Sequence, residues 1–358
     1  MSEDLQELGW DAGWEACFAP HRAQGLVPAR VAIEYNHMFR AFSEAGELAL
    51  QHAGRFKHRA VARSELAAVG DWVAVRRTPN EGAGTMEAVL PRRSRFSRKV
   101  AGELTEEQVV AANIDTVFLM MGLDGDYNPR RLERYLLLAH ESGARPVVLL
   151  SKSDLATDLA AVQADIAPIA RGTPVHAISV VNGAGLEQVP AHLGRGRTGA
   201  LLGSSGAGKS TLINALVGEE RLRTQEVRPS DSRGRHTTRH RQLIVLPGRG
   251  LLIDTPGMRE LQLWNVAEAS RDAFEDVEAL AAGCHFTDCR HRDEPRCAVK
   301  QAVADGRFPE ARLASYVKLH AEMATLDARR DQRALIDEKR RSKIMGKALK
   351  QMQKDRSR

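Results

Sequence analysis

The octapeptide Gly203-Ser204-Ser205-Gly206-Ala207-Gly208-Lys209-Ser210 has every fixed residue of the phosphate-binding pattern G-x-x-x-x-G-K-[S/T]. Its residue types explain the chemistry. Glycines let the backbone curl into a nest of N–H groups, and a following helix adds partial positive charge at its N-terminus. Lys209 is expected to reach the β/γ-phosphates and the Ser210 hydroxyl to ligate Mg²⁺. Thr198 to Leu202 reads as a short buried strand entering the loop, and Ser210-Thr211-Leu212 onward reads as the helix leaving it.

Four further segments would complete a guanine-nucleotide site. Asp254-Thr255-Pro256-Gly257 follows the apolar run Leu251 to Ile253. An Asp at a strand end can hold Mg²⁺ through water, and the Gly257 amide can donate to a γ-phosphate. Gly234-Arg235-His236-Thr237-Thr238-Arg239 suits a loop that closes on Mg²⁺ through a threonine, Thr238 first and Thr237 second. Ser151-Lys152-Ser153-Asp154 ends another apolar run; the Asp can accept guanine N1–H and N2–H together, and the Lys stem can cover the base. Ser179, after Val175 to Ile178, can bring a backbone amide to guanine O6. The base readers precede the phosphate loop and Asp254 comes last, a circular rotation of the usual GTPase order that a sheet tolerates when cut at surface loops. Asp254 therefore leads straight into the C-terminal segment, a route for nucleotide state along the chain. Met258 follows Gly257 where Ras-like enzymes place a water-orienting Gln, so intrinsic hydrolysis is expected to be slow; His236 is the candidate to position water.

The elements that must carry these residues fall into distinct textures. Leu5, Leu8, Trp10, Trp14 and Phe18 predict a short helix and a loop. From Ala29 to about Arg98, alternating stretches such as Arg30 to Tyr35 and Trp72 to Val75 are cut by glycines, predicting a small antiparallel OB-like barrel. From about Glu106, continuously apolar runs (Thr116 to Met121, Pro146 to Leu150, Val175 to Ile178, Gln242 to Leu246) are joined by helical stretches such as Arg130 to His140 and Leu155 to Ile169. Strands buried on both faces and joined by helices make a mostly parallel α/β sheet. A long charged helix is expected from about Pro309.

Cys284, Cys289 and Cys297 fall within fourteen residues, with His285 and His291 between them. Three thiolates and one imidazole suit a closed tetrahedral Zn²⁺ site with no open catalytic position. Arg290, Arg292, Arg296 and Lys300 make this knuckle cationic. Cys17 stands apart, and the cysteine pattern is not a secreted disulfide framework, pointing to a reducing, cytoplasmic setting. No run of eighteen apolar residues exists, and the acidic start lacks a signal core. Residues 329–358 hold twelve Lys/Arg against four Asp/Glu, a charge of +8 in a chain of net +6, so a polyanionic partner is expected for the tail.

In its permuted motif order, G-R-H-T-T loop (Gly234 to Thr238), D-T-P-G and cysteine/histidine cluster, the chain resembles the RsgA family of small-ribosomal-subunit-dependent GTPases. Ser151 departs from it, since that family usually has Asn or Thr there. The resemblance selects His291 over His285, giving Cys284, Cys289, His291 and Cys297 around one structural Zn²⁺. It implies a GTPase that docks on the small (30S) ribosomal subunit, hydrolyses GTP as a late maturation checkpoint, and is stimulated by that subunit, with rRNA contacts from barrel, zinc module and tail. The corresponding plan is an N-terminal extension (1–28), an OB-like barrel (29–100), a permuted P-loop GTPase domain (101–265), a helical zinc-binding domain (266–328) and a basic tail (329–358). Expected partners are GTP/GDP with Mg²⁺, the subunit and its rRNA; no membrane is implied and a monomer suffices. The alternatives are a GTP-regulated switch for a protein partner without ribosome dependence and a non-enzymatic RNA-binding scaffold.

Overall fold

The protein is described by a computed structural model covering residues 3–35, 38–54, 56, 60, 62–78, 82–99, 107–218, 241–254, 274–310, 312–318, 320, 321 and 324. The chain forms two compact units, residues 1–100 with 106–262, and residues 101–105 with 263–358.

In the first unit the N-terminal stretch forms two helices, α1 (Glu3–Glu7), which buries Leu5, and α2 (Ala12–Arg22), which buries Trp14 and Phe18, where the sequence predicted one. Asp11 caps α2 by accepting from the Trp14 amide at 3.0 Å. Trp10, Trp14 and Phe18 are buried, and Trp10 meets the ring of Trp72 edge-on at 4.6 Å. The aromatic cluster thus ties the extension to the barrel, since Trp72 opens one of its strands.

The barrel strands are β1 (Val27–Tyr35), β2 (Met38–Ser43), β3 (Gly46–His52), β4 (Trp72–Arg77) and β5 (Ala83–Val89). They run in the order β1-β2-β3-β5-β4, and β4 returns to pair with β1. The pairing of β3 with β5 is parallel and the others are antiparallel. This closed five-strand order is that of an OB barrel, as the alternating pattern predicted. Val31, Phe39, Leu48, Leu50, Val73, Val75 and Met86 fill it. A hairpin of β6 (Arg95–Lys99) and β7 (Glu107–Ala112) follows, so the sequence-drawn boundary at residue 100 falls between two paired strands.

The α/β layer comprises β8 (Thr116–Gly122), α3 (Pro129–Ser142), β9 (Arg145–Ser151), α4 (Leu159–Ala170), β10 (Val175–Ile178), α5 (Gln188–Ala191), β11 (Thr198–Gly203), α6 (Lys209–Val217), β12 (Gln242–Leu246) and β13 (Gly250–Asp254). Helix α3 starts where Asn128 caps it and Pro129 fits the first turn, and it ends at left-handed Gly143. Strand order is β10-β9-β8-β11-β13-β12, parallel except for β12. All seven residues of β8 and all six of β11 are buried, which explains their unbroken apolar texture. The layer continues into the barrel through β12 and β1, where Gln242 faces Ile33. Arg30 of β1 reinforces the junction from within: fully buried, it donates to Leu8 O, Gly70 O, Asn113 O (3.1 Å) and Thr198 Oγ1 (2.7 Å).

In the second unit, α7 (Glu275–Ala281) and α8 (Ala298–Ala304) flank the cysteine loop, and a helical stretch is described at 312–318. Phe274, Val277, Val299, Ala302 and Tyr316 are buried. Arg312 forms a two-pronged ion pair with Asp276 (2.9 and 3.1 Å) over the Phe274 ring.

Candidate functional site

Strand β11 leads directly into the phosphate-binding pattern, and α6 leaves it. Gly206 and Gly208 adopt φ of +87° and +90°, a backbone that side-chain-bearing residues rarely take, and so make the curl. Lys209 reaches back across the loop, donating to Gly203 O (2.8 Å) and Ser204 O (2.6 Å). Its ammonium thus lies over the loop whose N–H groups are expected to cradle phosphates. Ser210 and Thr211 fall in the first turn of α6, after Lys209.

Asp254 ends β13, whose neighbour in the sheet is β11. It is 3% exposed, and its Oδ2 lacks a hydrogen-bond partner. Burial pushes its carboxyl up to about 6, against the opposing pull of the Lys209 charge. A buried, unsatisfied carboxylate oxygen beside the phosphate loop fits a hydrated cation, and Ser210 supplies a hydroxyl of the right kind.

The base-reading segments converge on the same end of the sheet. Ser151, at the end of β9, donates its hydroxyl to Ala207 O in the phosphate loop (2.7 Å) and lies 3.2 Å from Met121 O. Serine therefore reaches the loop despite its short side chain. Lys152 adopts a left-handed conformation (φ +58°, ψ +39°), followed by a 3₁₀ turn at Ser153–Leu155. Ser179 follows β10 and donates its hydroxyl to Asp154 Oδ1, while its own oxygen accepts from the Val181 amide at 3.2 Å. The Asp154 carboxylate is thus aimed by a fully buried serine. The sequence reading assigned the Ser179 backbone amide to guanine O6; in the structure that amide donates to Ala184 O at 2.9 Å, and it is the side chain that faces the site, through Asp154.

Two residues escaped the sequence reading. Asp124 forms an ion pair with Lys152, and Asp126 accepts from the Ser204 hydroxyl. Their signal was Asp124-Gly125-Asp126 directly after an apolar strand, a pattern that ordinary turns share. Gly234, His236, Thr237, Thr238 and Gly257, named from sequence for the γ-phosphate side, lie outside the described residues, as does the basic tail.

In the second unit Cys284, Cys289, His291 and Cys297 bring their ligand atoms within 4.8 Å of one another. His291 Nδ1 lies 3.7, 3.5 and 3.2 Å from the sulfurs of Cys284, Cys289 and Cys297, and the Cys284 and Cys297 sulfurs are 3.9 Å apart. A tetrahedron with Zn–S and Zn–N bonds of about 2.3 and 2.0 Å has S···S edges of about 3.8 Å and N···S edges of about 3.5 Å, so the donors fit. His291 takes φ +57° to turn its ring inward, and burial lowers its pKa, favouring the neutral imidazole a metal needs. Burial also raises the Cys289 thiol to about 11. His285 packs its ring edge-on against Phe286 and is not one of the four.

Comparison with known proteins agrees with this geometry. The sequence model described as RsgA GTPase matches residues 89–264. The chain is 48% identical over 329 residues to the small ribosomal subunit biogenesis GTPase RsgA of Opitutus terrae, covering 89% of this chain and 90% of that one. The protein of the same name from Syntrophotalea carbinolica is 42% identical over 360 residues, 98% of each chain. The crystal structure of YjeQ from Thermotoga maritima superposes with a TM-score of 0.58 at 26% identity, covering 84% of this chain and 99% of that one.

Proposed function

This chain belongs to the RsgA GTPase family, and from that premise we propose that it binds the small ribosomal subunit and hydrolyses GTP as a late checkpoint in its assembly. It is a GTP hydrolase. The observation that carries the reading is the convergence, at one sheet end, of a phosphate loop, a base-reading Asp and a buried strand-end Asp. Asp154, steadied by Ser179, would accept both edge N–H groups of guanine, which adenine does not offer, and the Lys152 stem would cover the base. Loop amides from Gly203 to Ser210 and the Lys209 ammonium would gather the phosphates, and Ser210 and Asp254 would hold Mg²⁺, Asp254 through water. Bound Mg²⁺ would neutralise charge on the β/γ oxygens. Thr238, Gly257 and His236 remain assigned from sequence to the γ-phosphate side and its attacking water.

The Cys₃His cluster could hold a metal, and we assign Zn²⁺ from its donors and edge lengths. The barrel, the cationic knuckle around Arg290, Arg292, Arg296 and Lys300, and the basic tail would supply backbone-directed rRNA contacts that weaken steeply with salt. Among the described residues no helix is long and apolar enough to cross a membrane, and we place the activity in the cytoplasm beside its ribosomal partner. The test is GTP turnover with and without purified small subunits, with ATP as control. Stimulation confined to GTP is expected; an unchanged rate would overturn the checkpoint role.

A further inference from the structure

The motifs leave unexplained the loop that joins β8 to α3. We propose that Asp124 and Asp126 in this loop are positioning residues of the nucleotide site, Asp126 fixing the phosphate loop through Ser204 and Asp124 holding Lys152 across the base. The inference rests on the nucleotide-site assignment above and concerns residues outside its motifs.

The loop is itself held at several points. Arg131 of α3 pairs with Asp126 Oδ1 at 2.8 Å and also donates to the Asp126 carbonyl. The Asp126 amide donates to Asp124 Oδ1 at 3.3 Å, and the Leu123 amide to Ser151 O at 2.9 Å. Tyr127 donates its hydroxyl to Asp165 of α4, and Asn128 caps α3. From this frame the free oxygens act outward: Asp126 Oδ2 takes the Ser204 hydroxyl, and Asp124 Oδ2 takes the Lys152 ammonium. Ser204 is 4% exposed and Lys152 stands in a left-handed conformation, so both targets are constrained residues rather than free surface side chains.

Charge explains why two carboxylates are tolerated beside a polyphosphate site. Each faces a cation, Lys152 for Asp124 and Arg131 for Asp126, so neither presents uncompensated negative charge to the phosphates. The roles differ in kind. Asp126 acts on the part of the site that sees phosphate, and Asp124 on the part that sees base. Ser151, bonded to Ala207 O, already joins those parts. The acidic loop adds a second brace, through Ser204 and Lys152.

The test is competition binding on the full chain, displacing a fluorescent GDP with either GDP or Mg²⁺-tripolyphosphate, which carries phosphates and no base. Asp124→Ala is expected to weaken GDP about tenfold and leave tripolyphosphate within about twofold of the parent. Asp126→Ala is expected to weaken both by about tenfold, and Asp126→Asn, which keeps its oxygen for Arg131 and can donate its amide to the Ser204 hydroxyl oxygen but loses the charge, to recover part of that loss. Thermal melts accompany each variant; should Asp124→Ala not fold, Asp124→Asn enters the same comparison with the same expectation. Parent-like binding of both ligands by the variants overturns the proposal. So does an equal loss of both ligands by Asp124→Ala, or a failure of Asp126→Asn to recover. If the parent bound neither ligand, the nucleotide-site assignment itself would fall, and this inference with it.

Discussion

Ser151→Ala is the sharpest probe of how the base and phosphate halves of the site are joined. The Ser151 hydroxyl has one proton, and Ala207 O at 2.7 Å is a better acceptor than Met121 O at 3.2 Å. Both Ser151 and Ala207 are buried, so removing the hydroxyl leaves the Ala207 carbonyl without this donor in a site closed to water. Such an orphaned group costs about 1–3 kcal/mol. The bond is present without nucleotide, so part of the loss should appear as lowered stability, about 2–4 °C in melting temperature per kcal/mol for a domain of this size. The remainder should appear in affinity, at about tenfold per 1.4 kcal/mol. We therefore expect GDP and GTP to weaken together by about three- to thirtyfold, because the bond lies between base and loop and not at the γ-phosphate. Ser151→Thr, which keeps the hydroxyl, should bind like the parent. Titration of fluorescent GDP and a non-hydrolysable GTP analogue reads all three proteins. Parent-like affinity and melting in Ser151→Ala, or a loss limited to the triphosphate, would refute this account of the serine.

Other expectations follow from the same geometry. Asp154→Asn should weaken GTP and improve xanthosine triphosphate, because the amide offers a donor where the carboxylate only accepted; equal ATP and GTP affinity in the parent would overturn the base assignment. Stripping metal with a chelator, or changing Cys297 to Ser, should melt the second unit, whose buried apolar side chains among the described residues, Phe274, Val277, Val299, Ala302 and Tyr316 besides the cluster itself, are few; unchanged far-ultraviolet circular dichroism would contradict a structural metal. Zinc affinity should fall as pH is lowered, because the thiols, Cys289 with its raised pKa among them, must lose protons to bind; zinc titrations in buffers either side of neutrality check this. Asp11 is lowered to about 2, chiefly by its hydrogen bonds to Arg93. Its folded pKa lies below the unfolded one, so its contribution is present above about pH 4 and lost as pH falls towards about 2. The pair is half-exposed, which limits the effect to less than about 1 kcal/mol, and Asp11→Asn should flatten that part of the acid denaturation curve.

What could be read beforehand was what is local. The phosphate loop is a contiguous string whose glycines and lysine have one economical use, and the barrel's period-two alternation is seen in β2 and β3, which keep one face wet, but not in β1 or in Trp72–Val75 of β4, which are buried on both faces. The cysteine spacing placed three ligands, although choosing between His285 and His291 required resemblance; the structure brings His291 to the sulfurs through a positive-φ turn that no pattern announces. Long-range pairings were invisible. Nothing at Gln242 says that its strand will meet Ile33, nor does Arg30 on an apolar strand declare that it will be buried against four oxygens. The acidic loop was missed for the same reason: Asp124 and Asp126 gain meaning only from Lys152 and Ser204, distant in the chain.

The position of β11 in the sheet has a consequence for how the protein is made. Synthesis runs from the N-terminus, so β8, β9 and β10 leave the ribosome before β11, which must then dock alongside β8. Until Thr198–Gly203 is translated, β8 offers an unpaired edge whose residues are all buried in the finished sheet. The strand that will meet Ile33 is translated about two hundred residues after it. Nascent chains halted between these points carry a sticky apolar rim, the kind of edge that draws other unfinished chains into aggregates. The rotated gene order therefore exacts its toll in the interval before the phosphate half arrives, when the growing polypeptide depends most on prompt elongation or a chaperone's shelter.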